Sequence, residues 1–513
     1  MSFDLIIRNG QVVDGTGSRE PFKADVGVSN GQISAVDDLS DAEANLEIDA
    51  GGHIVSPGFI DVHVHSETAL VTEGQRFAGV AQGVTTQLLA PDGFGWACLP
   101  PDLTEEMWEY TRFASGNIEM DLGWPTIEDY LGIFPGNSPC NVYPQVPHCA
   151  VRLKVCGWEP GPATDQQIEE MANLTRQWME AGAGCLNLGL DYQPSVNADL
   201  RELVALCKVA ESYGGIYAAH IRNHTLGRAG AWEETFELQR RSGIPIHISH
   251  ERVDNECEEL LGRAEKEGID ISFEAYLYAA GMSHMTIMIP VEDQQGSPAE
   301  VIEHLRDPEV KKRIVPYLTN WLGKYNQVVG YTRSGRFIGR TLTEVAQDLG
   351  KTPEECAYDL IVEEEGLSAY IFPWQVSPEE ADETIARTIR HPLMMAASDG
   401  IYNVPHPHPR GFGCFAQIPG KYVREKKLVT LEQAIYKMSG FPARRFGISD
   451  RGEIAKGKVA DLVIFDPDRV NARATYEEPT LGPVGIEHVF VNGVATISNG
   501  EPTGALPGQV VRH

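Results

Sequence analysis

The sequence lacks an apolar run near the roughly 18 residues that cross a bilayer. Its start, Met1-Ser2-Phe3-Asp4, lacks the basic region followed by an apolar region that marks a secretory signal. Cysteine is sparse as well, since nine thiols in 513 residues form no CxxC pair and their number is odd. A disulfide framework is therefore excluded, and we expect an unexported, soluble protein with free thiols in the cytoplasm.

Basic residues are also in deficit. The chain has 42 Lys and Arg against 73 Asp and Glu, a net charge of −31. Such a charge repels phosphate backbones and anionic membrane surfaces. We therefore expect neither nucleic acid nor a membrane as a partner, and a small-molecule substrate instead. Apolar residues at 42% and charged residues at 22% are typical of a globular enzyme.

Short alternating segments occur at both ends of the chain, separated by Asn-Gly and Asp-Gly pairs that favour hairpin turns. Neither end holds enough strands for a stable unit by itself. We therefore predict that residues 1–56 and 441–513 combine into one small β-sandwich domain.

Between the two ends, strand-like apolar runs alternate with amphipathic helical segments, a pattern typical of βαβ units around a parallel sheet. Eight such units predict a (β/α)₈ TIM-like barrel of class α/β over residues 57–440, with a doubly wound open sheet as the alternative. Residues 283–340 interrupt the rhythm between strands 7 and 8 and predict an inserted lid or substrate wall. The predicted strands are Phe59–His65, Thr85–Ala90, Asn141–Val151, Cys185–Leu190, Ile216–His220, Pro245–His250, Ile269–Tyr276 and Leu393–Ser398.

Four histidines end predicted strands. His63 and His65, two positions apart, project to one face of the first strand. His220 and His250 end the fifth and sixth strands, about one βα unit apart. Because parallel strands end at the same edge of a barrel, the four imidazoles are expected to converge as metal ligands.

A carboxylate is expected beside these imidazoles. The eighth strand ends in Ser398-Asp399-Gly400, and the apolar run before it predicts that Asp399 is buried. An unpaired buried carboxylate is costly, so Asp399 is expected to serve the metal centre. His247 is predicted to be structural, whereas His148 and His224 are predicted to be able to line the pocket without binding metal.

These residues resemble the amidohydrolase superfamily and, more narrowly, the N-acyl-D-amino-acid deacylases, or D-aminoacylases. The resemblance covers nearly the whole chain. It is carried by IIRNGQVVDGTG from residue 6, AAHIRN around His220, ISHER around His250, EAYLYAAG around Tyr276, PHPRGFG around Arg410, and DLVIFDP, VNGV and TGALPGQVVRH towards the end.

The resemblance implies a site with one or two divalent ions, normally Zn²⁺. His63 and His65 would hold one ion and His220 and His250 the other, with Asp399 as proton shuttle and possible ligand. Arg410 would grip the carboxylate of the substrate, since guanidinium suits a bidentate contact. Tyr276 would lie beside it, and Arg252 stands where the family often has lysine.

Two residues depart from the family pattern. Where these deacylases typically carry a metal-binding cysteine after the second strand, this chain has Pro91-Asp92-Gly93. Asp92 is our expected replacement, with Cys98 a weaker candidate, and an oxygen ligand alters metal preference. Met282 stands where the family commonly has a serine near the substrate carboxylate.

The implied reaction is hydrolysis of N-acyl-D-amino acids by metal-activated water, with Asp399 as general base and then general acid. The alternative is another amide, an ester or a cyclic amide as in hydantoinases. Those cyclic-amide enzymes typically carry a carboxylated lysine on the fourth strand, and no lysine lies between Cys185 and Leu190. A third reading is a non-catalytic barrel scaffold, which five convergent ligands disfavour.

Overall fold

Parallel strands run through the middle of the chain in the computed structural model, which describes residues 2–118, 120–323 and 326–513. Three of them form one sheet and six form a second, and a short third pair joins the start of the series to its end. The strands, in sheet order, are Asn141–Tyr143, Val84–Leu88 and Phe59–Asp61; then Val146–Pro147, Cys185–Gly189, Ile216–His220, Ile246–Ile248, Ile271–Ala275 and Met394–Ala396; and finally Gly400–Ile401 with Val64–His65.

Helices follow most of these strands, and local sequence sets their ends. The side chains of Thr164 and Gln167 form a capping box at the start of Asp165–Glu180, while Gly243 ends Asn223–Ser242 with a positive φ of 81°. The α-helices are Glu67–Val71, Pro101–Ser115, Ile127–Leu131, His148–Cys156, Asp165–Glu180, Leu200–Ser212, Asn223–Ser242, Asn255–Glu267, Pro298–Leu305, Pro308–Leu322, Leu342–Leu349, Pro353–Glu363, Pro378–Arg390, Arg410–Gln417, Leu431–Met438 and Gly440–Arg445. Within the described ranges, no helix has the length and apolarity needed to span a membrane.

The predicted third strand, 141–151, is wrong in its second half. Pro144 and Gln145 separate Asn141–Tyr143 from Val146–Pro147, and the helix His148–Cys156 begins directly after Pro147. Seven of the nine residues of this helix are buried. A helix buried on most of its surface has the same continuous apolar sequence as a buried strand, and periodicity does not separate the two.

The segment predicted as an insertion at 283–340 belongs to a larger unit. Its three antiparallel strands are Ala280–His284, Ser368–Pro373 and Val328–Thr332, so the unit takes in residues on both sides of the predicted bounds. Four of the helices lie between these strands, and their buried side chains form an apolar cluster separate from that of the parallel sheets.

Strands from the two chain ends share one sheet. Leu462–Phe465 pairs antiparallel with Ile54–Pro57, and Asn492-Gly493 makes a hairpin turn with φ of 52° and 79°. A four-stranded sheet lies against it through a common apolar cluster. The seven-stranded sheet runs Glu501–Pro502, Val494–Ser498, Ile486–Val491, Leu462–Phe465, Ile54–Pro57, Gln11–Val12 and Phe22–Lys23, and the four-stranded sheet runs Gln32–Asp37, Asp25–Ser29, Ser2–Arg8 and Glu43–Asp49.

Candidate metal centre

His63 and His65 lie side by side at the end of the first parallel strand. Their ring centroids are 5.6 Å apart, and both side chains are buried. The Nε2 atom of His63 is 3.7 Å from Asp399 Oδ1, and that of His65 is 3.4 Å from the same oxygen. The spacing of two residues therefore brings both imidazoles to one face, where they meet a carboxylate from the far end of the series of strands.

Asp92 lies in the turn Pro91–Gly93 that follows the second parallel strand. Its φ of 55° is left-handed, and a Cβ on Gly93 would come within 2.7 Å of a backbone oxygen, so the turn requires glycine there. Asp92 Oδ1 is 3.7 Å from His63 Nε2 and 4.0 Å from His250 Nε2, and Oδ2 is 3.6 Å from His65 Nε2. One carboxylate thus reaches three imidazoles.

His220 and His250 come from neighbouring strands and face each other. His220 is the last residue of Ile216–His220, and its Nδ1 is 3.1 Å from His250 Nε2. His250 follows Ile246–Ile248 with a φ of 40°, and its backbone N–H donates to Glu274 Oε1 at 2.9 Å. The four histidines predicted from the sequence therefore converge.

Asp399 closes the group from the eighth predicted strand. Its backbone N–H donates to the carbonyl of His63 at 2.8 Å, and its own φ is 46°, so the sharp turn falls on the aspartate itself rather than on Gly400. Its Oδ2 is 2.8 Å from Arg410 Nη1. Asp399 is 6% exposed, as the apolar run before it predicts.

The donor set fits a divalent ion. His63 Nε2 and Asp92 Oδ1 are buried and have no hydrogen-bond partner within the described part of the chain, a costly state for polar atoms. The nitrogen–oxygen distances of the set run from 3.4 to 4.0 Å. Tetrahedral zinc with ligands near 2.1 Å separates its donors by about 3.4 Å. Imidazole and carboxylate are ligands that zinc accepts, so the residues present match the ion.

Glu274 contacts His63 and the backbone of His250 in this group. Its Oε1 is 3.1 Å from His63 Nδ1, and its other oxygen pairs with His247 Nε2. Burial would raise the pKa of Glu274, yet His247 and His63 together hold it well below its ordinary value. An ionised carboxylate on Nδ1 directs the Nε2 of His63 towards the proposed metal position, an arrangement common around metal-binding histidines.

The pKa values of two neighbouring histidines in this group are shifted in opposite directions. Burial acts to lower the pKa of His63, but Asp92 and Glu274 raise it to about 10. Burial and the adjacent His220 lower the pKa of His250 to about 4. Strongly shifted, closely coupled groups of this kind are concentrated at functional sites.

The four residues predicted to contact substrate line a cavity of about 610 Å³ above the group. Arg410 is 1% exposed, its guanidinium carbon is 4.4 Å from the ring centroid of Tyr276, and its Nη2 donates to the carbonyl of Met282 at 3.4 Å. Arg252 also lines the cavity, and its guanidinium carbon is 4.7 Å from the ring centroid of Trp374. The structure therefore brings all four to one cavity.

Two further histidines considered from the sequence, His247 and His224, have different positions relative to the cavity. His247 hydrogen-bonds Ser272 at 2.8 Å and pairs with Glu274, a structural role as predicted. His224 lines the cavity.

His148 does not line the cavity as the structure describes it, so the prediction that it could is wrong. It starts a helix and is buried between Ser195, at 2.7 Å, and Glu202, at 2.9 Å. Cys98 lies apart from the donor group, with its backbone N–H bonded to the carbonyl of Trp124.

Two buried carboxylates near the centre escaped the reading of the sequence. Glu274 is an acid inside an apolar strand, and Asp191 is an acid two residues after the end of another. Both could have been identified in the same way as Asp399, because each is a charged residue at a position where the surrounding apolar residues predict burial.

The amidohydrolase family matches residues 46–317 and 364–501. The chain belongs to the amidohydrolase family. Among curated relatives of this amidohydrolase, the N-acyl-D-glutamate deacylase of Alcaligenes xylosoxydans xylosoxydans is 32% identical over 99% of the chain and 96% of the relative. The D-aminoacylase of the same organism is 31% identical over 99% and 97%.

Solved structures of other amidohydrolases agree. An N-acyl-D-glutamate deacylase from Bordetella bronchiseptica, complexed with zinc and a phosphonate inhibitor that mimics the tetrahedral intermediate, superposes with a TM-score of 0.82, at 28% identity and with full coverage of both chains. A D-aminoacylase superposes with the same score at 29% identity and the same coverage. A D-hydantoinase, at 17% identity and a TM-score of 0.55 with full coverage of both chains, shares the fold alone.

Proposed function

We propose that this amidohydrolase cleaves the amide bond of N-acyl-D-amino acids to a D-amino acid and a carboxylate. The observation that carries the proposal is a pair of buried donor atoms, His63 Nε2 and Asp92 Oδ1, which lie 3.7 Å apart and have no hydrogen-bond partner among the described residues. Asp92 also lines the cavity of about 610 Å³. The names of the full-length relatives give the reaction class.

The proposed ligands for one or two zinc ions are the four histidines with Asp92 and Asp399. Two overlapping sets support this assignment, since His63 with Asp92 and His250, and His63 with His65 and Asp399, each bring three donor atoms within 4.8 Å of one another. Asp92 lies between the two pairs of histidines and is the proposed substitute for the family cysteine.

When bound at these residues, a divalent ion supplies a water of lowered pKa and polarises the carbonyl oxygen of the amide. Asp399 accepts the proton of the attacking water and returns it to the leaving nitrogen, which would otherwise depart as an unstable anion. Arg410 keeps Asp399 ionised before the first of these transfers, so that its carboxylate is free to take the proton. His63 and His65 hold Asp399 Oδ1 from the other side.

The arginines that line the cavity are proposed to orient the substrate. Arg252 has no ion pair among the described residues and stacks on Trp374, so its guanidinium is available to a carboxylate. Arg410 and Tyr276 lie deeper, next to Asp399. A carboxylate held between the two arginines places the amide over the donor group, so binding energy is converted into orientation.

The wall of the cavity favours neutral side chains on the substrate. The described part of the 280–373 unit contributes no charged residue to this wall, which is built from Ile287, Asn320, Trp321, Gln327, Phe372, Pro373 and neighbours. Arg228 also lines the cavity, but its guanidinium is already paired with Glu251 and Asp254. We therefore propose that N-acyl-D-amino acids with large neutral side chains are better substrates than N-acyl-D-glutamate or N-acyl-D-aspartate.

A different amide, a cyclic amide or an ester is the second candidate. Asp92 in place of cysteine and Met282 in place of serine favour it, because both residues line the cavity. The described fourth strand, Cys185–Gly189, contains no lysine for the carboxylated ligand of hydantoinases, which disfavours the cyclic amide.

The finer architecture is proposed alongside the function. If Asn141–Tyr143 and Val146–Pro147 are counted as one interrupted strand, eight parallel strands with helices between them support a (β/α)₈ barrel. The short pair Gly400–Ile401 and Val64–His65 joins the ends of the series. The two facing sheets built from the chain ends support a β-sandwich of residues 1–56 and 441–513. We propose that residues 283–340 form a lid-like part of the inserted unit. All nine cysteines are free, which suits a cytoplasmic protein.

The test is a hydrolysis screen with paired N-acyl D- and L-amino acids of neutral and acidic side chains, together with hydantoins, cyclic imides and esters. Zinc is measured on the same preparation. We expect turnover of D-amides only, with the neutral side chains ahead. Turnover confined to cyclic substrates or esters supports the second candidate, and folded protein that binds no zinc and turns over nothing supports the scaffold.

A further inference from the structure

Asp191 contacts His220, one of the proposed ligands, on the side of its ring away from His250. It follows the strand Cys185–Gly189 and is 3% exposed. Its Oδ2 is 3.3 Å from His220 Nε2, while His220 Nδ1 is 3.1 Å from His250 Nε2. The imidazole of His220 is thus held between a buried carboxylate on one side and the donor group on the other.

The other contacts of Asp191 use up its remaining acceptor sites. Oδ2 accepts the backbone N–H of His224 at 2.9 Å, and Oδ1 accepts the backbone N–H and the hydroxyl of Thr225 at 3.1 and 2.7 Å. A carboxylate offers about four lone-pair sites. Although donor atoms of Asp191, His220 and His224 lie within 4.8 Å of one another, Asp191 has no free acceptor site to act as a ligand itself.

The contact with Asp191 selects a tautomer of His220. An ionised carboxylate only accepts hydrogen bonds, so the imidazole nitrogen that faces it carries the hydrogen. In a neutral imidazole, Nδ1 then keeps its lone pair, and this is the atom that faces His250. Metal binding requires such a lone pair.

We propose that Asp191 is a positioning residue that fixes His220 with Nδ1 directed at the metal centre and thereby raises the affinity for the ion. The inference rests on the metal centre of the proposed function. The carboxylate also holds the first turn of Asn223–Ser242, so its own position is fixed by backbone bonds. Loss of such an outer partner typically lowers metal affinity about 10- to 100-fold.

The experiment titrates zinc into the apoprotein in competition with a chromophoric chelator, for wild type, Asp191→Asn and Asp199→Asn. Asp199 is the matched control, since its carboxylate accepts two backbone N–H groups at the start of Leu200–Ser212, at 2.9 and 3.1 Å. In the described part of the chain it has no hydrogen bond or ion pair with a proposed ligand. We expect zinc to bind about 10- to 100-fold more weakly to Asp191→Asn and with wild-type affinity to Asp199→Asn. Thermal unfolding of the apoproteins shows that each variant is folded.

Cobalt substitution gives a second readout, because the visible absorption of Co²⁺ reports ligand geometry. A changed spectrum in Asp191→Asn alone supports the positioning role, while wild-type affinity with an unchanged spectrum overturns it. Loss of a full equivalent of zinc at saturation would make Asp191 a ligand and also overturn it. Wild-type protein that binds no zinc defeats the proposed centre itself.

A milder variant covers the case in which Asp191→Asn does not fold. Thr225→Val removes one hydroxyl that holds Asp191 and leaves the carboxylate in place. We expect a smaller fall in zinc affinity in the same direction. Unchanged affinity in this variant overturns the proposal if Asp191→Asn cannot be prepared.

Discussion

Asp399 Oδ2 lies 2.8 Å from Arg410 Nη1, and both side chains are buried. Burial by itself would raise the pKa of Asp399, but the guanidinium of Arg410 and the contact with His65 hold it well below its ordinary range. The carboxylate is therefore ionised at neutral pH and ready to accept a proton. The arginine expected to grip the substrate also fixes the charge of the proposed base.

Replacement of Asp399 by asparagine is expected to lower kcat by about 10²- to 10⁴-fold, because the amide keeps the shape of the side chain but takes no proton at neutral pH. Hydrolysis of the best N-acyl-D-amino acid measures kcat, and unfolding by circular dichroism measures the fold. Asp468→Asn, on the exposed surface after Leu462–Phe465, is the matched control with wild-type kcat. A variant at position 399 that keeps a wild-type kcat removes Asp399 from the mechanism.

Replacement of Asp92 by cysteine is expected to change which metal is preferred. A thiolate is a softer ligand than a carboxylate, so the affinity for Cd²⁺ should rise relative to that for Mn²⁺. Asp92→Ala should lose metal, because it removes the oxygens that lie 3.6 to 4.0 Å from three imidazoles. Competition titrations measure both changes.

Cys98→Ser is the control for the Asp92 variants, since Cys98 lies apart from the donor group and its replacement should leave metal binding as in wild type. Equal metal content in Asp92→Ala and wild type would contradict the assignment.

The convergence of the proposed ligands was predictable because it depends on strand ends alone. His63, His65, His220, His250 and Asp399 each follow an apolar run, and the carboxyl ends of parallel strands meet at one edge. The identity of the outer partners was not predictable in this way. Which nitrogen of His63 meets Glu274, or of His220 meets Asp191, depends on side-chain rotation and register between segments far apart in sequence.

Element boundaries were less predictable than element types. The bounds of the helix Asp165–Glu180 follow from local sequence, because its capping box and its apolar face agree. The first residues of the helix His148–Cys156, as far as Val151, are predicted as strand, because burial on most of the helix surface removes the periodicity that identifies a helix. The pairing of Ala280–His284 with Ser368–Pro373 joins segments over 80 residues apart, a contact that local pattern does not report.

Replacement of Arg252 by methionine is expected to raise KM for N-acyl-D-amino acids with little change in kcat. A charged hydrogen bond contributes about 1.5–3 kcal/mol, which corresponds to a rise in KM of about 10- to 150-fold. Arg252→Lys should recover part of the loss, since it restores the charge without the planar geometry.

An N-acyl amine that lacks a carboxylate is the control substrate for Arg252, because it offers the guanidinium nothing to bind. Its kinetics should be the same in Arg252→Met and wild type. Equal KM values for the carboxylate substrate in the two proteins would place the substrate carboxylate elsewhere.

Lys437 is expected to make stability depend on pH in the alkaline range. Its ammonium is buried and donates to the carbonyls of His391 and Met394 at 2.5 and 3.2 Å, and burial lowers its pKa to about 8. In the unfolded chain the pKa is about 10.4. Between these values the unfolded state binds more protons, so the contribution of Lys437 to the free energy of unfolding rises with pH, by about 2–3 kcal/mol.

Lys437→Met removes this pH-dependent term. The stability of the variant relative to wild type should therefore fall by about 2–3 kcal/mol between pH 7 and pH 10, measured as denaturant midpoints at a fixed zinc concentration. Lys208→Met, on the exposed face of Leu200–Ser212, is the control and should show no such trend. If the gap between Lys437→Met and wild type is the same at both pH values, Lys437 titrates normally in the folded protein and the buried ammonium makes no pH-dependent contribution.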